Sequence, residues 1–131
     1  MISALWFKKI PFFLLAMMIS FSLSAQKEDP YVRLAKIDVD PVQLERYLEF
    51  LKENMEASLK KEPGVLSMYA VAEKERPHQI LIIETYASKA AYETHIQSAH
   101  FQKYKQGTLA MVRSLDLRDV VPLGGTSPKK K

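Results

Sequence analysis

The body of this sequence predicts an α+β domain with the element order β-α-β-β-α-β. Three observations carry that prediction. Short runs rich in Val, Leu and Ile, ended by turn residues, recur four times between residues 31 and 121. Two stretches between them space their apolar residues by three and four, as a helix requires. No internal repeat is present, so these elements belong to one unit.

The first strand covers residues 31–38, where Val32, Leu34 and Ile37 mark a short alternating run. Asp40-Pro41 ends it and opens the first helix. Asp40 suits the N-cap, Pro41 the first helical position and Gln43 the partner position of a capping box. Leu44, Leu48, Leu51, Met55 and Leu59 form the apolar stripe, with Glu45, Glu49, Lys52, Glu53 and Glu56 opposite. Lys60 and Lys61 suit the negative helix end, and Glu62-Pro63-Gly64 stops it. Residues 65–72 and 78–86 are strands joined by the polar turn 73–77, which makes an antiparallel hairpin. Ser88 caps a second helix that carries Tyr92, His95, Ile96 and Ala99 on one face. Ser98 can cap again, which implies a break between His95 and His100, and Gly107 weakens the last turns. Residues 115–121 are the last strand, stopped by Pro122. This order is the ferredoxin-like arrangement. It puts both helices on one sheet face, yet Leu66, Met68, Ala70 and Val65, Val71 are apolar on both alternations, as are Leu81, Ile83 and Ile80, Ile82. A second copy is the economical cover, so a homodimer with sheets face to face is expected.

Residues 1–25 stand apart. Lys8 and Lys9 precede an apolar run over residues 10–19, and residues 20–25 end in Ser24-Ala25. These are the three parts of a cleavable signal peptide, with the cut after Ser24 or Ala25. The apolar run is shorter than the roughly 20 residues that span a bilayer, so no stable membrane anchoring is expected after cleavage. The expected location is exported, periplasmic or secreted. Residues 26–123 form the domain, and residues 124–131 a flexible basic tail. The sequence has no cysteine, so neither a disulfide nor a lipid-attachment thiol helps hold it. The net charge of +4 comes from the two ends. Without Lys8, Lys9 and Lys129 to Lys131, fourteen basic side chains face fifteen acidic ones. No basic face or aromatic-basic interleaving appears, which argues against nucleic acid as a partner.

Several segments carry a family resemblance. They are Glu62-Pro63-Gly64 with Met68-Tyr69, residues 82–88 around Glu84 and Tyr86, and residues 92–101 with His95, Ser98 and His100, followed by Tyr104. Together they resemble the antibiotic-biosynthesis-monooxygenase (ABM) domain, nearest to its quinol monooxygenase branch. The likeness spans about Val32 to Leu123. It implies a dimeric α+β barrel that oxygenates phenolic or quinol substrates with molecular oxygen and without metal, flavin or haem. A sister branch that degrades haem uses a helix-2 tryptophan. The only tryptophan here is Trp6, inside the signal segment, and His95 occupies the corresponding position.

Such chemistry needs an apolar cavity, a base for the phenolic proton and donors for the oxyanion that forms. His95 is the candidate base, Glu84 its orienting or substrate-binding carboxylate, and Tyr69 a further catalytic hydroxyl. Tyr86, Tyr92 and His100 are candidate substrate contacts. The same residues also fit a structural account, in which Glu84 and His95 satisfy each other in the core. Two histidines five apart on a helix point about 140° from each other, unlike the same-face i,i+4 pair of a zinc helix, so no metal site is expected. A polyketide-type cyclase or isomerase and a non-catalytic small-molecule-binding dimer are the competing functions.

Overall fold

The structure, a computed structural model, describes residues 28–125; the expected signal segment lies outside them. Strand β1 (Tyr31–Val39) begins at Tyr31 as expected and runs one residue past Asp38. The Asp40 carboxylate accepts a bond from the Val42 amide at 3.1 Å, and Pro41 opens a 3-10 turn over Pro41–Gln43. Helix α1 (Leu44–Lys61) follows directly. Gln43 therefore sits at the helix cap instead of in its first turn, and the expected capping box does not form.

The buried face of α1 is also rotated from the expected stripe. Tyr47, Leu51, Asn54 and Ser58 are buried, while Leu48 and Leu59 are 43% and 48% exposed. The helix must face both the sheet and a second helix, and Tyr47 fills the space between them. Its hydroxyl meets that of Tyr104 at 2.5 Å.

Strands β2 (Val65–Ala72) and β3 (Gln79–Tyr86) form the hairpin. Helix α2 (Lys89–Gln97) is capped by Ser88, whose hydroxyl accepts from the Ala91 amide. Helix α3 (Ala99–Thr108) starts at the expected break. Ser98 makes that break: its hydroxyl accepts from the Phe101 amide at 3.3 Å and donates to the His95 carbonyl at 2.7 Å. Gly107 does not end α3. A Cβ there would lie 2.5 Å from the Phe50 ring, so the glycine serves the close approach of α1 and α3. A 3-10 turn over Leu109–Met111 leads to β4 (Val112–Val120), which starts three residues earlier than expected.

The sheet order is β2-β3-β1-β4, all neighbours antiparallel, which confirms the ferredoxin-like α+β fold. One chain makes an open four-stranded sheet. Rows of facing residues cross it on the helix side: Arg33 with Glu84, Ala35 with Ile82, and Ile37 with Ile80. With Val39, Tyr47 and Leu51 these aliphatic residues form the main core under α1. Each buried Val, Leu or Ile among them contributes about 1.5–3 kcal/mol. A register shift between Val65 and Ser67 turns both Val65 and Met68 inward, leaving Leu66 half exposed. The simple alternation expected for β2 fails there. On the far side, Tyr69 faces Ile83 and Ile83 faces Leu34, with Val71 beside them. Tyr69, Val71 and Ile83 are exposed in the single chain.

Candidate active site

Between α2, α3 and the helix side of the sheet lies a cavity of about 300 Å³. Its floor comes from β1 and β3 through Ala35, Ile37 and Ile82, and its helical wall from His95, Phe101 and Tyr104. Arg33, Glu84, Tyr86 and Tyr92 close one end. Leu115 and Leu117 of β4 line the opposite side, where no helix covers them. An aromatic and aliphatic wall with a few polar groups is the usual make-up of a small-molecule pocket.

His95 is the central polar group. Its side chain is only 1% exposed, wedged between the rings of Tyr86 and Phe101 at 5.4 and 5.0 Å. Nδ1 lies 2.8 Å from Oε2 of Glu62, and Nε2 is buried without a partner. A carboxylate on Nδ1 fixes the ring orientation and leaves Nε2 as the ring nitrogen with no protein partner. The expected Glu84–His95 pair is thus replaced by Glu62–His95. Glu62 reaches His95 because the chain turns sharply after α1, at Glu62-Pro63-Gly64. The Glu62 amide still bonds the Ser58 carbonyl at 3.0 Å, and the Gly64 carbonyl accepts from Ala87 at 2.8 Å. Gly64 is required there: a Cβ would fall 2.6 Å from that of Ala91.

His100 stands behind this pair, not in the cavity lining. Its Nε2 lies 2.6 Å from the same Oε2 of Glu62, and its ring centroid is 6.0 Å from that of His95. The five-residue spacing does not hold the rings apart, because Ser98 breaks the helix between them. Glu62, His95 and His100 are therefore a compact set of three ligating side chains, whose donor atoms lie within 4.8 Å of one another.

Glu84 lines the cavity from β3 and accepts from the Tyr86 hydroxyl at 3.0 Å. Burial pushes its carboxyl above the usual range, against the pull of the Tyr86 bond and of nearby His95 and Arg33. Burial and the neighbouring carboxylate raise the Tyr86 phenol strongly, so it remains a proton donor. Burial also pushes Tyr104 up to about 12. Tyr92 lines the cavity with the Arg33 guanidinium 4.6 Å above its ring, and its hydroxyl accepts from Arg33. The Arg33 Nε is 3.1 Å from Asp119 but off line for a hydrogen bond.

Tyr69 does not belong to this site. It is 67% exposed on the opposite sheet face, because its place in β2 puts it in the row of Ile83 and not that of Glu84. His78, outside this site, is half-buried and pairs with Asp38 at 2.9 Å. Glu62 and Arg33 are the site residues that sequence reasoning missed. The turn around Glu62 was legible, but not its direction. Arg33 lay in an apolar strand, and a lone arginine there was the available signal.

An open ferredoxin-like sheet with a histidine-bearing cavity under its helices defines the class of this α+β domain. The family model described as antibiotic biosynthesis monooxygenase matches residues 30–107, and the chain belongs to that family. Its structure is similar to a "putative antibiotic biosynthesis monooxygenase" from Bacteriodes thetaiotaomicron, at 52% identity and TM-score 0.75. That match covers 79% of this chain and 99% of the other. A "putative monooxygenase" from Lactobacillus acidophilus is 30% identical at TM-score 0.69, over 70% of this chain and 44% of that one. A Nitrosomonas europaea protein, 19% identical at TM-score 0.68 over 72% of this chain and 99% of its own, shares the fold. Comparison with curated proteins gave no match.

Proposed function

We propose that the domain is a cofactor-independent monooxygenase acting on a quinol or related phenol, with His95 as the base. The observation that carries this reading is the buried Nε2 of His95, unpartnered in the wall of an aromatic cavity and backed by Glu62 on Nδ1. His95 Nε2 takes the phenolic proton, and the electron-rich phenolate passes one electron to molecular oxygen. The two radicals combine at a ring carbon to give a peroxide. Loss of water from that peroxide leaves a ring carbonyl, with His95 returning its proton to the departing oxygen. One oxygen atom ends on the ring and the other in water. The quinol supplies all four electrons, so no outside reductant is consumed.

Glu84, held protonated over a wider pH range by burial, donates a hydrogen bond to the oxygen that becomes negative, and the Tyr86 hydroxyl positions that acid by donating to its other oxygen. The Arg33 guanidinium at the same end adds positive charge. The uncovered face with Tyr69, Val71 and Ile83 supports pairing of two copies, which would complete a barrel from two open sheets. The charged, apolar and small-residue order of residues 8–25 supports export to the periplasm or beyond.

The test is oxygen uptake by the protein with a panel of hydroquinones, beside His95→Ala. Uptake that depends on both quinol and His95 supports the reading. Turnover of a cyclisation or isomerisation substrate without oxygen uptake would replace it, as would quinol binding without any product.

A further inference from the structure

We propose that Glu62, His95 and His100 form a binding site for a divalent transition-metal ion at the back of the cavity. The proposal is independent of the oxygenase reading, since it concerns the far side of the His95 ring.

Three separate elements bring the donors together. Glu62 comes from the turn after α1, His95 from the last turn of α2 and His100 from the first turn of α3. Oε2 of Glu62 already lies 2.8 Å from His95 Nδ1 and 2.6 Å from His100 Nε2. Zinc binds nitrogen and oxygen donors at about 2.0–2.2 Å, which sets donors around one ion about 3.3 Å apart in a tetrahedron. All three donor atoms lie within 4.8 Å of one another, so a small outward swing of the carboxylate and a closing of the two rings bring them to that spacing. Two imidazoles and one carboxylate suit Zn²⁺, Co²⁺ or Fe²⁺, and offer too few oxygens for Ca²⁺ or Mg²⁺.

The charge balance points the same way. Glu62 is nearly buried, its side chain 13% exposed, and among the described residues no lysine or arginine pairs with it. With both imidazoles neutral, a negative charge is left with only hydrogen bonds to offset its burial. A divalent ion supplies the missing positive charge. The donors are held in place without it. Ser98 ties the end of α2 to the start of α3, and Gly64 seats the Glu62 turn against Ala91. Glu62 and His100 keep a small exposed fraction, which gives the ion its entry. Water completes the coordination.

Metal on Nδ1 of His95 leaves the ring proton on Nε2. The occupied site would therefore turn the cavity-facing nitrogen from an acceptor into a donor.

The experiment is titration of the chelator-treated, untagged protein with Co²⁺, read by ligand-field absorption and followed by Zn²⁺ displacement. One equivalent is expected to saturate the signal. Glu62→Gln and His100→Ala should each weaken binding by roughly tenfold or more, whereas His78→Ala, at the separate Asp38 pair, should not. If His100→Ala does not fold, the wild-type protein still decides. Paramagnetic Co²⁺ must then shift the ring resonances of both His95 and His100. No binding, or binding that leaves those rings untouched or survives both substitutions, overturns the site and leaves only a hydrogen-bonded triad.

Discussion

Glu62 and His95 meet although they stand 33 positions apart in sequence, with Oε2 2.8 Å from Nδ1 and the imidazole almost wholly shielded from water. The carboxylate dictates which nitrogen carries the proton. Replacing it with an amide keeps the volume and removes that control. Glu62→Gln is expected to lower quinol-dependent oxygen uptake by roughly a hundredfold or more while leaving the fold intact. Oxygen uptake across pH, with circular dichroism as the folding control, checks this. Unchanged rates would remove Glu62 from the mechanism.

Gly64 should be intolerant of even one methyl group. A Cβ there would lie 2.6 Å from that of Ala91, and neither atom can rotate away. Gly64→Ala is expected to cost about 1–3 kcal/mol, equivalent to a fall in Tm of several degrees. Because the same turn carries Glu62, the variant should also lose oxygen uptake below its melting temperature.

Glu84 makes stability depend on pH in a specific sense. Burial disfavours the charged form and holds its folded carboxyl above the ordinary glutamate range. Folding therefore favours the protonated acid, and the contribution is fully present below the unfolded pKa. It is lost as pH rises through the folded value. Glu84→Gln, which stays neutral and can still accept from Tyr86, should be more stable than wild type at pH 7. That difference should shrink towards zero below about pH 4. Paired melting curves from pH 4 to 8 test the sign.

Ile83 occupies the middle of the apolar row between Tyr69 and Leu34 on the uncovered sheet face. If two copies meet there, the wild-type protein has a dimeric mass by light scattering. Ile83→Lys should then yield a monomer. A wild-type monomer at micromolar concentration would refute the pairing.

Occupying the Glu62–His95–His100 set should silence the base. Saturating Zn²⁺ is expected to suppress oxygen uptake, and a chelator to restore it.

The fold was legible because its signals are local. The Asp40-Pro41 stop, the Ser88 cap and the second cap at Ser98 each act within four residues, and each is where the sequence places it. The stripe of α1 was less legible. Apolar periodicity marks a helix but does not say that Tyr47 and Ser58 face inward while Leu48 and Leu59 stay half exposed. The site was legible only in part. Of the six candidates, His95, Glu84, Tyr86 and Tyr92 line one cavity, and Tyr69 and His100 do not. Glu62 was hidden because its partner is set by how a turn and a helix pack, and Tyr69 misled because a β-bulge decides the face of its neighbours.

Ser98 has a consequence for how such a site can change over time. One residue that ends one helix and begins the next acts as a joint between two rods, each seated on its own packing. A residue gained or lost there would swing His100 around the axis of α3 and leave His95 at its post. The orientation of one imidazole and the presence of the other are thus separately adjustable, and a single short insertion could retire the rear ligand without disturbing the cavity in front.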